Sequence, residues 1–186
     1  PRVQTLRALA KTAPDNIGEV IRPFFHDQEP EVCTTALELV LSNTDDVEAS
    51  KRSIVPNINI LKEISKHCFV PLGFGGGINS IELASEILKY GADKIVLNTI
   101  AYKKPDLISR VAKLFGSQSI IISIDAKKDS DRNWICYSHS GTINTGYNVQ
   151  DWVKKVHALG AGEILISSID KDGTMSGYDL DLIKSV

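Results

Sequence analysis

A chain of 186 residues, 42% apolar and 24% charged, is long enough to bury a sizeable single core and has the composition of an ordinary globular domain. Its net charge of −2 supplies no bulk attraction for nucleic acid or a membrane surface. No apolar run reaches the roughly 18–20 residues a membrane helix needs, and no basic segment with a short apolar core opens the chain as a secretory signal. Cys33, Cys68 and Cys136 are widely spaced, odd in number and in no CxxC pair. That points to reduced thiols in a cytoplasmic protein and away from a disulfide frame or a zinc site. The opening Pro1, the lone Met175 and a helical pattern still running at Val186 lead to the expectation that the chain is incomplete.

Residues 1–44 read as three helices: an amphipathic stretch from Arg2 to Ala10, a second from Ile17 to Phe25, and a third from Glu31 to Leu41. Pro14 and the His26-Asp27-Gln28-Glu29-Pro30 turn separate them. The pattern resembles a HEAT-type helical repeat, whose units depend on neighbours to bury their faces. The plainer alternative is an ordinary helical extension packed on the rest of the chain.

From residue 57 the pattern alternates between helices and short β-branched runs. Residues 57–66 place Ile58, Leu61 and Ile64 at helical spacing, and residues 69–74 read as a strand entering Gly75-Gly76-Gly77. Ser80 is placed to cap a helix with Ile81, Ala84, Ile87 and Leu88 inward, and Gly91 stands where a helix ends. A strand over 94–98 precedes a helix that Pro105 opens, with Leu107, Ile108, Val111 and Leu114 inward and Gly116 closing it. Residues 119–124 form a continuous apolar strand, the kind buried on both faces. Residues 126–147 read as a hairpin insertion laid over one end of the sheet. Asn148 then caps a helix with Val149, Trp152, Val153 and Val156 inward, followed by a strand over 163–169 and a helix near Asp179. The stretch Gly91-Ala92-Asp93-Lys94-Ile95-Val96-Leu97 recurs as Gly160-Ala161-Gly162-Glu163-Ile164-Leu165-Ile166. Strands alternating with helices over short links imply a parallel sheet, either open and doubly wound or closed as a barrel; the internal repetition favours a (β/α)8 barrel, present here in part.

Ligands of parallel α/β folds bind at the C-terminal ends of the strands. The residues placed there are Gly75, Gly76 and Gly77; Asn98 and Thr99; Asp125 and Lys127; and Ser168, Asp170, Asp172, Gly173 and Thr174. Three glycines between a strand and a capped helix let backbone N–H groups approach an oxyanion, so a phosphate cradle completed by Asn98 and Thr99 is the natural reading. The alternative is a tight turn needing positive φ. A carboxylate on the most apolar strand is costly unless paired or set at the rim, which makes Asp125 a candidate general acid/base with Lys127 near enough to couple. A helix cap or a structural ion pair is the alternative for Asp125. Asp170-Lys171-Asp172-Gly173-Thr174 lacks the later ligands of a calcium loop, and the four histidines have no metal-ligand spacing, so no metal and no cofactor are expected. Lys94 and Glu163 begin their strands and belong at the opposite end, where simple solvation is the usual fate of a charge.

Together these segments resemble the cyclase subunit of imidazole glycerol phosphate synthase. The resemblance is carried by Val70-Pro71-Leu72 with Phe74-Gly75-Gly76-Gly77-Ile78, by Asn98-Thr99, by Phe115-Gly116-Ser117-Gln118, and by Ser123-Ile124-Asp125-Ala126-Lys127. It continues through Ser140-Gly141 with Asn144-Thr145-Gly146 and through Ser168-Ile169-Asp170-Lys171-Asp172-Gly173-Thr174 to Gly177-Tyr178-Asp179, spanning residues 46–186. The resemblance implies a barrel that combines ammonia from a glutamine amidotransferase partner with a phosphoribulosyl aminoimidazole carboxamide nucleotide, giving imidazole glycerol phosphate. It implies that Asp125 is one of two catalytic aspartates and that Gly77, Asn98 and Thr99 hold one phosphate. Asp172 and Gly173 then lie at the other end of the substrate, Ser140 and Gly141 on a mobile loop, and Lys94 and Glu163 in a charged ring at the base where ammonia enters.

The chain departs from that family in two ways. Nothing before residue 46 resembles the first strand with the other catalytic aspartate, and strands seven and eight are expected beyond Val186, so the chain alone is expected not to catalyse the reaction. Tyr137-Ser138-His139-Ser140-Gly141-Thr142 is closer to cyclase-like proteins associated with amidating surface-polysaccharide sugars. A non-catalytic interaction protein, a helical repeat joined to a decayed barrel, is the alternative of another class.

Overall fold

The computed structural model describes residues 56, 58–66, 68 and 70–186. The three helices expected in residues 1–44 lie outside these. The chain divides into two units, residues 1–72 with 90–92 and residues 73–89 with 93–186. In the first unit, helix α1 (Ile58–Ser65) buries Leu61, and Lys62 Nζ lies 3.8 Å above the Tyr90 ring.

In the second unit the elements run β1 (Gly73–Gly75), α2 (Ile81–Lys89), β2 (Lys94–Leu97), α3 (Thr99–Lys103), α4 (Asp106–Phe115), β3 (Ile120–Lys128), β4 (Trp134–Ser138), β5 (Ile143–Asn148), α5 (Val149–Ala158), β6 (Glu163–Ser168) and α6 (Leu180–Lys184). β1, β2, β3 and β6 are parallel neighbours in chain order. This is part of a (β/α)8 barrel whose sheet does not close among the described residues. The expected strand over 69–74 shortens to Gly73–Gly75. Only there does the backbone pair with β2.

The helices form where their apolar spacing allows one face to be buried. α2 buries Ile81, Ala84 and Ile87, and its start is fixed by the Leu83 N–H donating to Ser80 Oγ at 3.2 Å. α4 buries Leu107, Ile108 and Val111, but Leu114 is 65% exposed, against expectation. The 100° step of an α-helix brings Leu114 back to within about 20° of Leu107, so its exposure follows from its place in the last turn of α4 and not from helical phase. Asn148 caps α5 by accepting the Gln150 N–H, and Val149, Trp152 and Val156 are fully buried, with Val153 only half-buried.

The central strand β3 sorts its side chains by parity. Ile120, Ile122, Ile124 and Ala126 are fully buried, while Ile121, Ser123 and Asp125 are half-buried on the opposite, concave face. Parallel register carries that face across to Val96 on β2 and to Glu163, Leu165 and Ser167 on β6.

Beyond its pairing with β2, β3 continues antiparallel with β4, which returns as β5. This is the hairpin expected over 126–147, lying at the C-terminal end of the parallel strands. Its inner residue Cys136 is fully buried, and burial pushes its thiol up to about 11 despite the opposing Tyr102 hydroxyl. At pH 8 only about one thiolate in a thousand follows from that value. Cys136 is therefore expected to remain unalkylated by iodoacetamide in the folded chain and to label fully in urea, read by peptide mass spectrometry; rapid native labelling would show that the hairpin opens.

Candidate functional site

At the C-terminal end of β2 and β3, the Asn98 Nδ2 amide donates to Asp125 Oδ2 at 3.0 Å. Their strands bring together side chains 27 residues apart in sequence. Asn98 leaves the strand with φ −123° and ψ −95°. Its Oδ1 is buried without a hydrogen-bond partner among the described residues. Such an acceptor costs on the order of 1–3 kcal/mol when left unpaired, which a hydrogen-bond donor on a ligand or water would offset. The bond takes one lone pair of the carboxylate and leaves the rest of Asp125, half-buried on the concave face, able to exchange protons with a ligand.

Lys127 does not couple to Asp125. Its Nζ lies 4.0 Å from Asp170 Oδ1, both side chains being nearly half-exposed. The two residues share a face of β3, but the lysine ammonium lies against the loop after β6.

The three glycines divide by physical cause. A Cβ on Gly75 would stand 2.8 Å from Val96 Cβ, so Gly75 permits the close approach of β1 to β2. Gly76 and Gly77 have φ of 97° and 69°, which side-chain-bearing residues rarely adopt. An added Cβ on Gly76 would meet nothing within 4 Å, so there the backbone conformation, not crowding, selects glycine.

The β4–β5 turn contains Ser140 and Gly141, and it stands over the same strand ends. His139, Ser140 and Gly141 have consecutive φ values of 52°, 57° and 76°. The His139 N–H donates to Thr99 Oγ1 at 3.1 Å, and a Cβ on Gly141 would come within 3.2 Å of Ile169 Cδ1. The turn thus touches the ends of both β2 and β6. Sequence reasoning did not single out His139 and Lys103 as site residues. Their only signal is the position of His139 in a loop expected near the mouth.

The other candidates lie along the loop after β6. Asp172 N–H donates to Ser168 O at 2.8 Å, and Thr174 donates through both its N–H and its Oγ1 to Lys171 O. Gly173 has φ 72°. With Ser167, Tyr178 and Asp179, Asp172 and Gly173 line a cleft of about 420 Å³ in which Asp125 and Asn98 take no part. Asp179, near which the sequence places a helix start, accepts from Ser168 Oγ at 2.9 Å and caps α6 by accepting the Leu182 N–H at 3.2 Å. Slight burial raises its carboxyl, but Ser168, the Leu182 N–H, Lys171 and Lys128 together hold it below the ordinary value.

At the opposite end, Lys94 Nζ and Glu163 Oε1 form an ion pair of 2.5 Å across the start of β3, and Lys94 also donates to Gln118 O at 2.9 Å. These are equivalent positions of the internal repeat. Simple solvation, the usual fate of such charges, does not describe them. With 21% and 52% side-chain exposure, the pair contributes no more than about 1 kcal/mol.

No group of three or more His, Cys, Asp and Glu side chains among the described residues could hold a metal ion. No described helix is long and apolar enough to cross a membrane.

Comparison with known proteins gives these positions a family. The chain is 45% identical over 141 residues to the imidazole glycerol phosphate synthase subunit HisF of Chlorobium limicola, covering 76% of this chain and 56% of that protein. It is 42% identical over 139 residues to the subunit of the same name from Dictyoglomus thermophilum, covering 75% and 55%. A putative HisF subunit of Leptospira borgpetersenii is 42% identical over 142 residues, covering 76% and 56%. The chain therefore spans little more than half the length of these curated relatives. A family model described as "Histidine biosynthesis protein" matches residues 36–186, beginning inside the stretch read from sequence as a third helix. By these matches the chain belongs to the histidine biosynthesis protein family.

Proposed function

We propose that this chain carries the central part of an ammonia-using cyclase barrel that acts on a phosphorylated aminoimidazole carboxamide nucleotide and releases imidazole glycerol phosphate. The observation that carries the proposal is the Asn98–Asp125 pair, set at the strand ends of a chain belonging to this family. In this reading Asp125 moves protons during ring closure, and the Asn98 amide orients its carboxylate so that one oxygen faces substrate. Gly76, Gly77, Asn98 and Thr99 hold one substrate phosphate, with Lys127 a further cation near the rim. Asp172, Gly173 and Thr174 bind the far end of the substrate, and Ser140 and Gly141 border it from the hairpin turn.

Ammonia comes from a glutamine amidotransferase subunit, which docks where Lys94 and Glu163 stand. That end is separated from Asp125 by the length of β3, so the concave face of the sheet is the route between them. The free thiols of Cys68 and Cys136 suit a reducing, cytoplasmic setting.

Phosphate binding tests the reading without requiring turnover. Titration of inorganic phosphate into the chain is expected to be saturable, and the double variant Asn98→Ala, Thr99→Ala is expected to weaken it at least tenfold, since charge-assisted hydrogen bonds contribute about 1.5–3 kcal/mol each. Equal binding by the variant would remove Asn98 and Thr99 from the site.

A further inference from the structure

The side chains around the β4–β5 turn include a pair of basic nitrogens that the proposed function leaves unused. His139 Nε2 lies 3.3 Å from Lys103 Nζ on α3, and its Nδ1 lies 3.0 Å from Ser138 Oγ on β4. An ammonium can only donate, so a hydrogen bond in the first contact needs Nε2 as its acceptor, which leaves Nδ1 as the nitrogen set against the serine oxygen. Lys103 and Ser138 are the groups that face the imidazole from the elements packed against it; from the loop after β6, Ile169 meets the neighbouring Gly141. Among the described residues no carboxylate forms an ion pair with Lys103 or His139. Both residues are exposed.

The backbone holds this arrangement against its own preference. His139 and Ser140 sit in the left-handed region, which costs roughly 1–2 kcal/mol for each L-residue. That cost delivers the His139 N–H to Thr99 Oγ1, which accepts it. The Thr99 hydroxyl hydrogen therefore remains free to donate to another group. One hydroxyl donor, one ammonium and one imidazole then converge at the end of β2, and no carboxylate among the described residues forms an ion pair with them.

We propose that Lys103 and His139 extend the Asn98–Thr99 end of the site into a clamp for a phosphomonoester dianion, and that His139 takes up one proton from solution as the anion binds. The inference rests on the reading that Asn98 and Thr99 hold a phosphate. The free pair shares its nitrogens through one hydrogen bond, and a second proton there brings two positive charges within 3.3 Å. A dianion between them removes that penalty, because each cation then faces negative charge. Phosphate binding and imidazole protonation are thereby linked: the anion raises the proton affinity of Nε2, and each stabilises the other.

The test is calorimetric titration of inorganic phosphate into the chain at pH 7.5, in two buffers of different ionisation enthalpy, with melting curves to confirm folding. The wild-type chain is expected to take up between about half a proton and one proton per phosphate. His139→Gln is expected to abolish the uptake and Lys103→Met to weaken binding about tenfold. Both exposed substitutions are expected to leave the melting curve in place. Phosphate binding that is lost in Asn98→Ala, Thr99→Ala but unchanged in affinity and proton uptake by the other two variants would overturn the clamp and leave the phosphate site standing. Absence of saturable binding by the folded wild-type chain would overturn both.

Discussion

Asp125→Asn is expected to lower ammonia-dependent turnover by about 10²–10⁴-fold, the range that a positioned general acid/base supplies. The substitution changes shape very little. The asparagine oxygen can still accept from Asn98 Nδ2, as the Asp125 carboxylate does at 3.0 Å. Packing on the concave face is therefore retained while the capacity to carry a proton is removed. The measurement needs a whole barrel, and one route is to graft residues 71–186 into the Chlorobium limicola subunit in place of its matching stretch. Steady-state assays with ammonium salts then bypass the amidotransferase. A fall in kcat with little change in KM is the signature of a role in the chemical step. Unchanged kcat in a folded Asp125→Asn chimera would reduce the residue to a structural partner of Asn98.

The largest effect on stability is expected at Trp152. Its side chain is fully buried in a three-ring aromatic cluster, with ring centroids 4.4 Å from Tyr102 and 4.8 Å from Tyr147, which lie 6.1 Å from each other. Lys155 Nζ lies 4.9 Å from the Tyr147 ring centre and 5.4 Å from that of Trp152. The stack joins α5 to α3 and to the end of β5, so it ties the helical layer to the elements that carry Thr99 and the hairpin. Trp152→Ala is expected to cost on the order of 3–5 kcal/mol and to lower the melting temperature by about 10 °C. Trp152→Phe is expected to cost under about 1.5 kcal/mol: it keeps one ring in the stack and removes the Nε1–H, which is buried without a partner among the described residues. Urea unfolding of the two variants separates the terms. Equal losses would mean that the indole, and not the volume it fills, holds the layer together.

The sequence by itself determined the parallel α/β architecture, the hairpin insertion, most helix starts and the family. These arise from short-range causes: apolar spacing at 3.6 or 2 residues, Ser80 and Asn148 at helix starts, and glycines where φ is positive. It also placed Asp125, Asn98 and Thr99 at one end of the strands and Lys94 and Glu163 at the other, because a parallel strand has a direction. Partnership between distant side chains was decided only by tertiary structure. The register of β2, β3 and β6 brings Asn98 to Asp125 and Lys94 to Glu163. Lys127 turns to Asp170, two residues beyond the end of β6, and not to its neighbour in sequence. Leu114 has the helical phase of the buried Leu107, yet in the last turn of α4 it stays exposed, because only tertiary structure decides how far along a helix its apolar face is covered. His139 became a site candidate for the same kind of reason. Nothing local in Ser138-His139-Ser140 indicates that a strained turn reaches Thr99 and Lys103, since that contact exists only once β4 has paired with β3 beyond the end of β2.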